Sequence, residues 1–252
     1  MSGHSKWSSI KHKKGAADAK RGQLFSKLSK AIIVAAKNGG GDPANNLPLQ
    51  NAIEKARSYS MPRDNIDRAI AKGSGADADA DAFESITYEG YGPEGVAVIV
   101  EALTDNKNRT AADVRHLFAK HGGNLGTDGS VSWQFERRGV VVVVPADEVD
   151  EDELFMAAAD GGAEDIEQDG TVFQITSAPE QFGSVRGAVE AAGFTVESAE
   201  LMLVPKTTVA VDDEAKARQV MRLVDALEEN DDVQDVYANF DIPEQVLEAV
   251  AG

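Results

Sequence analysis

The chain contains no cysteine. Disulfides, thiolate metal sites and a cysteine nucleophile are excluded at once, and a reducing compartment, the cytoplasm, is the expected home. No apolar run approaches the roughly 20 residues that cross a bilayer. The amino terminus, Met1-Ser-Gly-His-Ser-Lys-Trp7, lacks the apolar stretch and small-residue cleavage site of a secretory signal. Also missing are a Walker A loop, a G-x-S-x-G elbow and an H-E-x-x-H pair. Gly90-Tyr-Gly92-Pro-Glu-Gly95 spells G-x-G-x-x-G, but that fingerprint must run from a strand into a helix. Here Pro93 interrupts it and Val96–Val100 reads as strand. His116 and His121 stand five apart, on different faces of a helix, so no metal-ligand spacing exists. His121, before Gly122-Gly123, reads as the last residue of a helix, placed well against the dipole. No enzyme, cofactor, metal or small-molecule substrate is expected from these residues. Hydrophobic residues make up 42% of 252, enough for real cores in one large domain or two or three small ones.

The charge is unevenly placed. The whole chain carries −18, which alone argues against a polyanionic partner. Residues 1–72, however, hold 14 Lys and Arg against 5 Asp and Glu, a local balance of +9. Residues 73–252 hold the remaining 11 bases against 38 acids, a balance of −27. Asymmetry of this size implies two jobs in one chain.

Hydrophobic spacing divides the chain further. Leu24, Phe25, Leu28, Ile32 and Ala35 recur at helical intervals over Ala16–Lys37, and Asn38-Gly39-Gly40-Gly41 ends that helix. Two shorter helices are predicted over Leu49–Ser58 and from Ser60, with Pro62 in the first turn, to Gly73. The Ala-Asp repeat at 76–82 can bury nothing and reads as an acidic flexible linker. Beyond it the period becomes two. Strands are predicted at Glu84–Tyr91, Val96–Leu103 and Val131–Glu136, with a helix over Thr110–His121. A compact β-α-β-β-α-β series follows from Val140 to Val204, the ferredoxin-like order. A helix at Asp213–Glu228 and a strand at Val233–Phe240 close the chain, and a short strand can fall within Thr207–Val211. The expected fold class is therefore α+β in three domains: a helical one over 1–75, a second over 83–137 with 206–252, and a ferredoxin-like third, 138–205, inserted in the second.

Lys6, Lys11, Lys13, Lys14, Lys20, Arg21, Lys27 and Lys30 lie within thirty residues, opposed only by Asp18, with Trp7 and His12 among them. Cationic side chains neutralise phosphates and release counterions, and an aromatic ring stacks on an unpaired base. These ten residues are the candidate nucleic-acid contacts. The Debye length is about 8 Å at physiological salt, so the distant acids are largely screened and the body repels only what lies along it. Asp150–Glu153 and Glu228–Asp232 sit at predicted helix ends and loops, where solvation accounts for them. In Thr104-Asp-Asn-Lys-Asn-Arg109-Thr110, residue types alone favour capping of the next helix by Asp105, Asn108 or Thr110.

Several ordered motifs together resemble one family. Gly3-His-Ser-Lys-Trp7, Ile10-Lys-His-Lys-Lys14, Asn51-Ala-Ile-Glu-Lys-Ala56, Met61-Pro-Arg-Asp-Asn-Ile66, Tyr88-Glu-Gly-Tyr-Gly-Pro93, Thr104–Thr110 and Gly129-Ser-Val-Ser-Trp-Gln-Phe135 look like the YebC family across the whole chain. The resemblance implies three domains with the third inserted in the second. It implies a probable transcriptional regulatory protein that binds DNA, related to mitochondrial translational activators of cytochrome c oxidase. It leaves open a ribosome-associated factor that binds ribosomal RNA near the site of peptide synthesis. It also places the basic amino terminus in the mature domain rather than in a transit peptide. Finally, it turns Asn106, Lys107, Asn108 and Arg109 into a possible second functional surface. No coiled-coil heptad is present, so a monomer is expected.

Overall fold

The computed structural model describes residues 18–75, 83–144, 150–169, 172–243 and 245–247. The expected linker at 76–82 lies outside them. The helical unit is built from α1 (Asp18–Gly39), α2 (Leu47–Ser58) and α3 (Arg63–Ser74). Leu28, Ile32 and Ala36 of α1 pack against Leu49, Ile53, Ile66 and Ala69 of its partners. Gly73 is where α3 comes closest to α1, since a Cβ there would run into the Ile33 carbonyl oxygen. Asn46 caps α2 by accepting from Leu49 N at 3.2 Å.

The first sheet joins residues far apart in sequence. It has the order β3 (Asn124–Leu125), β1 (Glu84–Tyr91), β2 (Ala97–Thr104), β9 (Val233–Ala238), all antiparallel. Two helices, α4 (Lys107–Lys120) and α7 (Glu214–Glu228), cover one face, with Val114 and Phe118 of α4 and Val220, Leu223 and Leu227 of α7 meeting Val98 and Val100 of β2. Val209–Ala210 (β8) pairs in parallel with Phe240–Asp241 (β10) as a separate small ribbon.

The second sheet comes from one continuous stretch. Its series is β4 (Phe135–Val143), α5 (Glu151–Gly161), β5 (Ala163–Asp169), β6 (Val172–Ser177), α6 (Phe182–Ala191), β7 (Val196–Pro205). The strand order β5-β6-β4-β7 is the antiparallel arrangement of a split βαβ. Leu154 and Ala158 of α5 and Val185 and Val189 of α6 cover one face through Val141, Val143, Phe173 and Ile175. The protein is thus α+β, a helical unit followed by two α/β layers, the later one interrupting the earlier.

One expectation is corrected here. Val131–Glu136 is not a strand distinct from Val140–Val144. Ser132–Gln134 forms a 3₁₀ turn, and a single strand runs from Phe135 to Val143, so the expected boundary at 137/138 falls inside β4. Arg137, Arg138 and Gly139 look like punctuation, but they pair in register with Leu203, Met202 and Leu201 of β7.

The two sheets are joined face to face. Val140, Val142, Val172 and Met202 of the second sheet share one apolar cluster with Ala97, Ile99 and Tyr237 of the first. Burying each such aliphatic side chain contributes about 1.5–3 kcal/mol, so this seam is a true core. The helical unit attaches differently. It leans on the body across a cleft of about 650 Å³ that contains Lys27, Lys55, Tyr59, Glu101 and Asp235, and polar contacts dominate its grip.

Candidate nucleic-acid interface

Of the ten expected contacts, Lys6, Trp7, Lys11, His12, Lys13 and Lys14 lie outside the described residues. Lys20 and Arg21 fall on the first turns of α1 as described. Lys27 and Lys30 are different. The Lys27 ammonium donates to the Glu228 carbonyl at the end of α7. The Lys30 ammonium donates to the Asp231 carbonyl at 3.2 Å and pairs with Asp232 Oδ1 at 3.3 Å, while lying 5.0 Å from the centre of the Phe83 ring. Gln23 beside them donates to the Glu229 carbonyl and to Asp231. The inner half of α1 therefore uses its polar groups to hold the body.

The expected second surface is also wired internally. Asn106, rather than Asp105, Asn108 or Thr110, is the N-cap of α4, accepting from Arg109 N at 3.1 Å. Lys107 pairs with Glu84, and Asn108 is exposed. The Arg109 guanidinium donates from Nη2 to Asp105 and to Asp232, both at 2.8 Å. Those two carboxylates, through their hydrogen bonds, raise the Arg109 pKa further above its ordinary range.

Asp232 is the residue on which these threads meet. It is buried and receives Arg109, the Thr110 hydroxyl at 2.9 Å, the Thr104 hydroxyl at 3.3 Å and Lys30. Burial pushes its carboxyl up, but the hydrogen bonds from Arg109, Thr110 and Lys30 outweigh that and hold it below the usual range. Solvation does not account for this member of the Glu228–Asp232 run. No sequence signal marks it, because its partners come from residues 30, 104, 109 and 110.

A second polar station lies at the meeting of all three units. Lys55 on α2 pairs with Asp235 of β9 at 2.5 Å and with Glu200 of β7 at 3.5 Å. Desolvation alone would lower the Lys55 pKa; Asp235 and then Glu200 reverse that and raise it well above normal. Glu54, one residue earlier, receives Arg186 of α6 at 3.2 Å. Both stations bind the helical unit to the body by charge. Among the described residues no group of three or more His, Asp or Glu could hold a metal ion, and no helix is long and apolar enough to cross a membrane.

A helical unit followed by two α/β layers, one nested in the other, defines a three-domain α+β protein. The model of the TACO1/YebC N-terminal domain matches residues 5–76, and that of the TACO1/YebC second and third domain matches residues 83–240. The chain belongs to the TACO1/YebC family. It is 60% identical over the full length of both chains to a probable transcriptional regulatory protein of Rubrobacter xylanophilus. It is 51% identical over 251 residues to a protein of the same description from Syntrophus aciditrophicus, again covering all of both chains. A crystal structure of a conserved hypothetical protein from Aquifex aeolicus has the same fold, with a TM-score of 0.82 at 50% identity, over 94% of this chain and 97% of that one.

Proposed function

We propose that this protein is a nucleic-acid-binding regulator of the cytoplasm. Its amino-terminal segment holds phosphates, and its acidic α/β units stand off from the rest of the polyanion. The observation that carries this reading is the segregation of charge, +9 in residues 1–72 against −27 beyond them. The internal commitment of Lys27 and Lys30 supports a narrower contact set, with Lys6, Trp7, Lys11, His12, Lys13, Lys14, Lys20 and Arg21 doing the docking. The descriptions of the relatives favour DNA and transcription as the setting.

The body's charge favours a second reading, a ribosome-associated translation factor. A body at −27 repels a duplex laid along it, whereas the loops and bulges of folded ribosomal RNA offer phosphates and unstacked bases to a small basic head. Anisotropy titrations of promoter duplex and of a ribosomal RNA fragment decide between the two, together with sedimentation of a lysate through sucrose. If about five phosphates are neutralised, log K falls against log[salt] with a slope of about −4.5 on duplex DNA. Lys13→Glu with Lys14→Glu weakens every nucleic acid about equally. A salt-insensitive affinity, or a double variant that binds like the parent, ends the proposal.

A further inference from the structure

The oxygens that receive α1 form a row. At the end of α7 the chain reads Glu228-Glu229-Asn230-Asp231-Asp232. The carbonyls of Glu228, Glu229 and Asp231 and the carboxylates of Asp231 and Asp232 all accept from the helical unit. The donors are Gln23, Lys27 and Lys30, at i, i+4 and i+7 on one face of α1. A helix carboxyl end already concentrates negative potential, and the two carboxylates deepen it. This turn thus offers α1 what a phosphodiester backbone offers: closely spaced oxygens of negative potential that accept from ammonium groups.

Capping of α7 by lysines accounts for part of this arrangement. It does not account for how little else holds α1 against the body. The apolar cluster of the helical unit draws on no residue of either sheet, whereas the two sheets share one with each other. Where α1 faces the strands, the cleft of about 650 Å³ intervenes, with Leu24 and Ala31 on one wall and Ser85 and Leu103 on the other.

The polar groups at this joint lose little when it opens onto a polyanion. Without Lys30, Asp232 still accepts from Arg109, Thr104 and Thr110, so its carboxylate is not left bare. Lys27 donates to a backbone carbonyl, and a phosphate oxygen is a stronger acceptor for an ammonium. The remaining joints, Lys55 with Asp235 and Glu200 and Glu54 with Arg186, stand on α2. They keep the helical unit attached while its α1 end swings away.

We infer that the Glu228–Asp232 turn is a built-in competitor for the inner face of α1. It occupies Gln23, Lys27 and Lys30 while the helical unit is closed on the body, and a phosphodiester backbone takes its place when that end opens. The inference rests on the reading of this chain as a nucleic-acid binder. The amino-terminal segment engages a polyanion in either state, and the two lysines strengthen the grip only in the open one. The acidic body thereby regulates the contact from inside the molecule, favouring partners that can displace the turn.

The absence of cysteine makes the test direct. In the full chain, Gln23→Cys with Asp231→Cys puts two thiols where the parent side chains meet at 2.9 Å, and a short bismaleimide with a reducible spacer locks the joint closed. The locked protein is titrated against duplex DNA and a folded ribosomal RNA fragment across salt. It binds about tenfold more weakly than the same protein after the spacer is reduced, and its duplex salt slope is shallower by about 1.8 for two withheld phosphate contacts. Asp231→Asn with Asp232→Asn binds more tightly than the parent. The gain exceeds that of Glu151→Gln with Asp152→Asn, which removes the same charge from the exposed start of α5. Equal affinity of locked and reduced protein, a tighter locked form, or equal gains from the two pairs of substitutions would each overturn the competitor. If Lys13→Glu with Lys14→Glu still loses binding in those cases, the amino-terminal reading stands. A parent that binds neither probe at any salt overturns both.

Discussion

Glu89 shows how one carboxylate shapes a loop. It lies buried on β1, and its Oε1 accepts from Gly129 N at 2.8 Å. Oε2 accepts from Val131 N at 2.7 Å and Ser132 N at 2.8 Å. Burial raises the Glu89 pKa, and those three backbone donors more than reverse the effect. The loop so held presents Trp133 with 66% of its surface exposed. Glu89→Gln keeps the shape but removes the charge from three charge-assisted bonds, at a cost of about 2 kcal/mol. For a chain of this size that lowers Tm by about 4–8 °C, readable by calorimetry. A depressed folded pKa stabilises above the unfolded value, near 4.3, and the benefit disappears as pH falls through the folded one. The variant should therefore lose less stability than the parent between pH 5 and 3. None of this was legible in the sequence, where Glu89 is one acid among 43 and its donors lie forty residues on.

At the scale of elements the sequence was more readable. Periodicity identified the three helices of the amino-terminal unit, because their apolar stripes face a local core. The β-α-β-β-α-β series was legible for the same reason: each element packs on its sequence neighbours. What misled was punctuation. Gly139 looked like a break, yet it sits within β4 where a side chain would run into Ser177 and Phe182. The start of α4 misled in a similar way, since the three expected caps, Asp105, Asn108 and Thr110, stand within six residues and the geometry gives the role to Asn106 between them. Asn106→Ala should cost about 1 kcal/mol and increase amide exchange in the first turn of α4. Equal exchange in the two proteins would show that the cap is redundant with Thr110.

The whole molecule is held by two kinds of joint. The sheets share an apolar seam, but the helical unit is held through Asp232, Lys55 and Glu54. The Asp232 carboxyl is depressed, so its contribution is complete above the unfolded pKa of about 3.9 and is lost as pH falls through the folded value. Lys55 has the opposite sign: its raised pKa contributes fully below the unfolded value of about 10.4 and fails only in alkali. Acidification should thus loosen the helical unit at its Asp232 end first. In small-angle scattering at pH 7, Asp232→Asn should reproduce the expansion of the parent under acid. A radius unchanged by the substitution would show that the Lys55 station suffices.

The nesting of one sheet inside the other also fixes an order of birth. β4 and β7 are paired along their length, Phe135 opposite Pro205, so the inserted unit can close as soon as residue 205 is clear. The first sheet cannot, because β2 waits for β9, whose last residue is Ala238. At about 5–20 residues per second, synthesis of that remaining stretch takes roughly 2–7 s. During that interval the younger domain is finished while the older one still has an unpaired strand edge, Ala97–Thr104. The face of the completed second sheet that bears Val140, Val142 and Met202 is the surface against which that strand will settle. In the chain's order of emergence, the packing face of the insert is thus complete before the host sheet that shares its core.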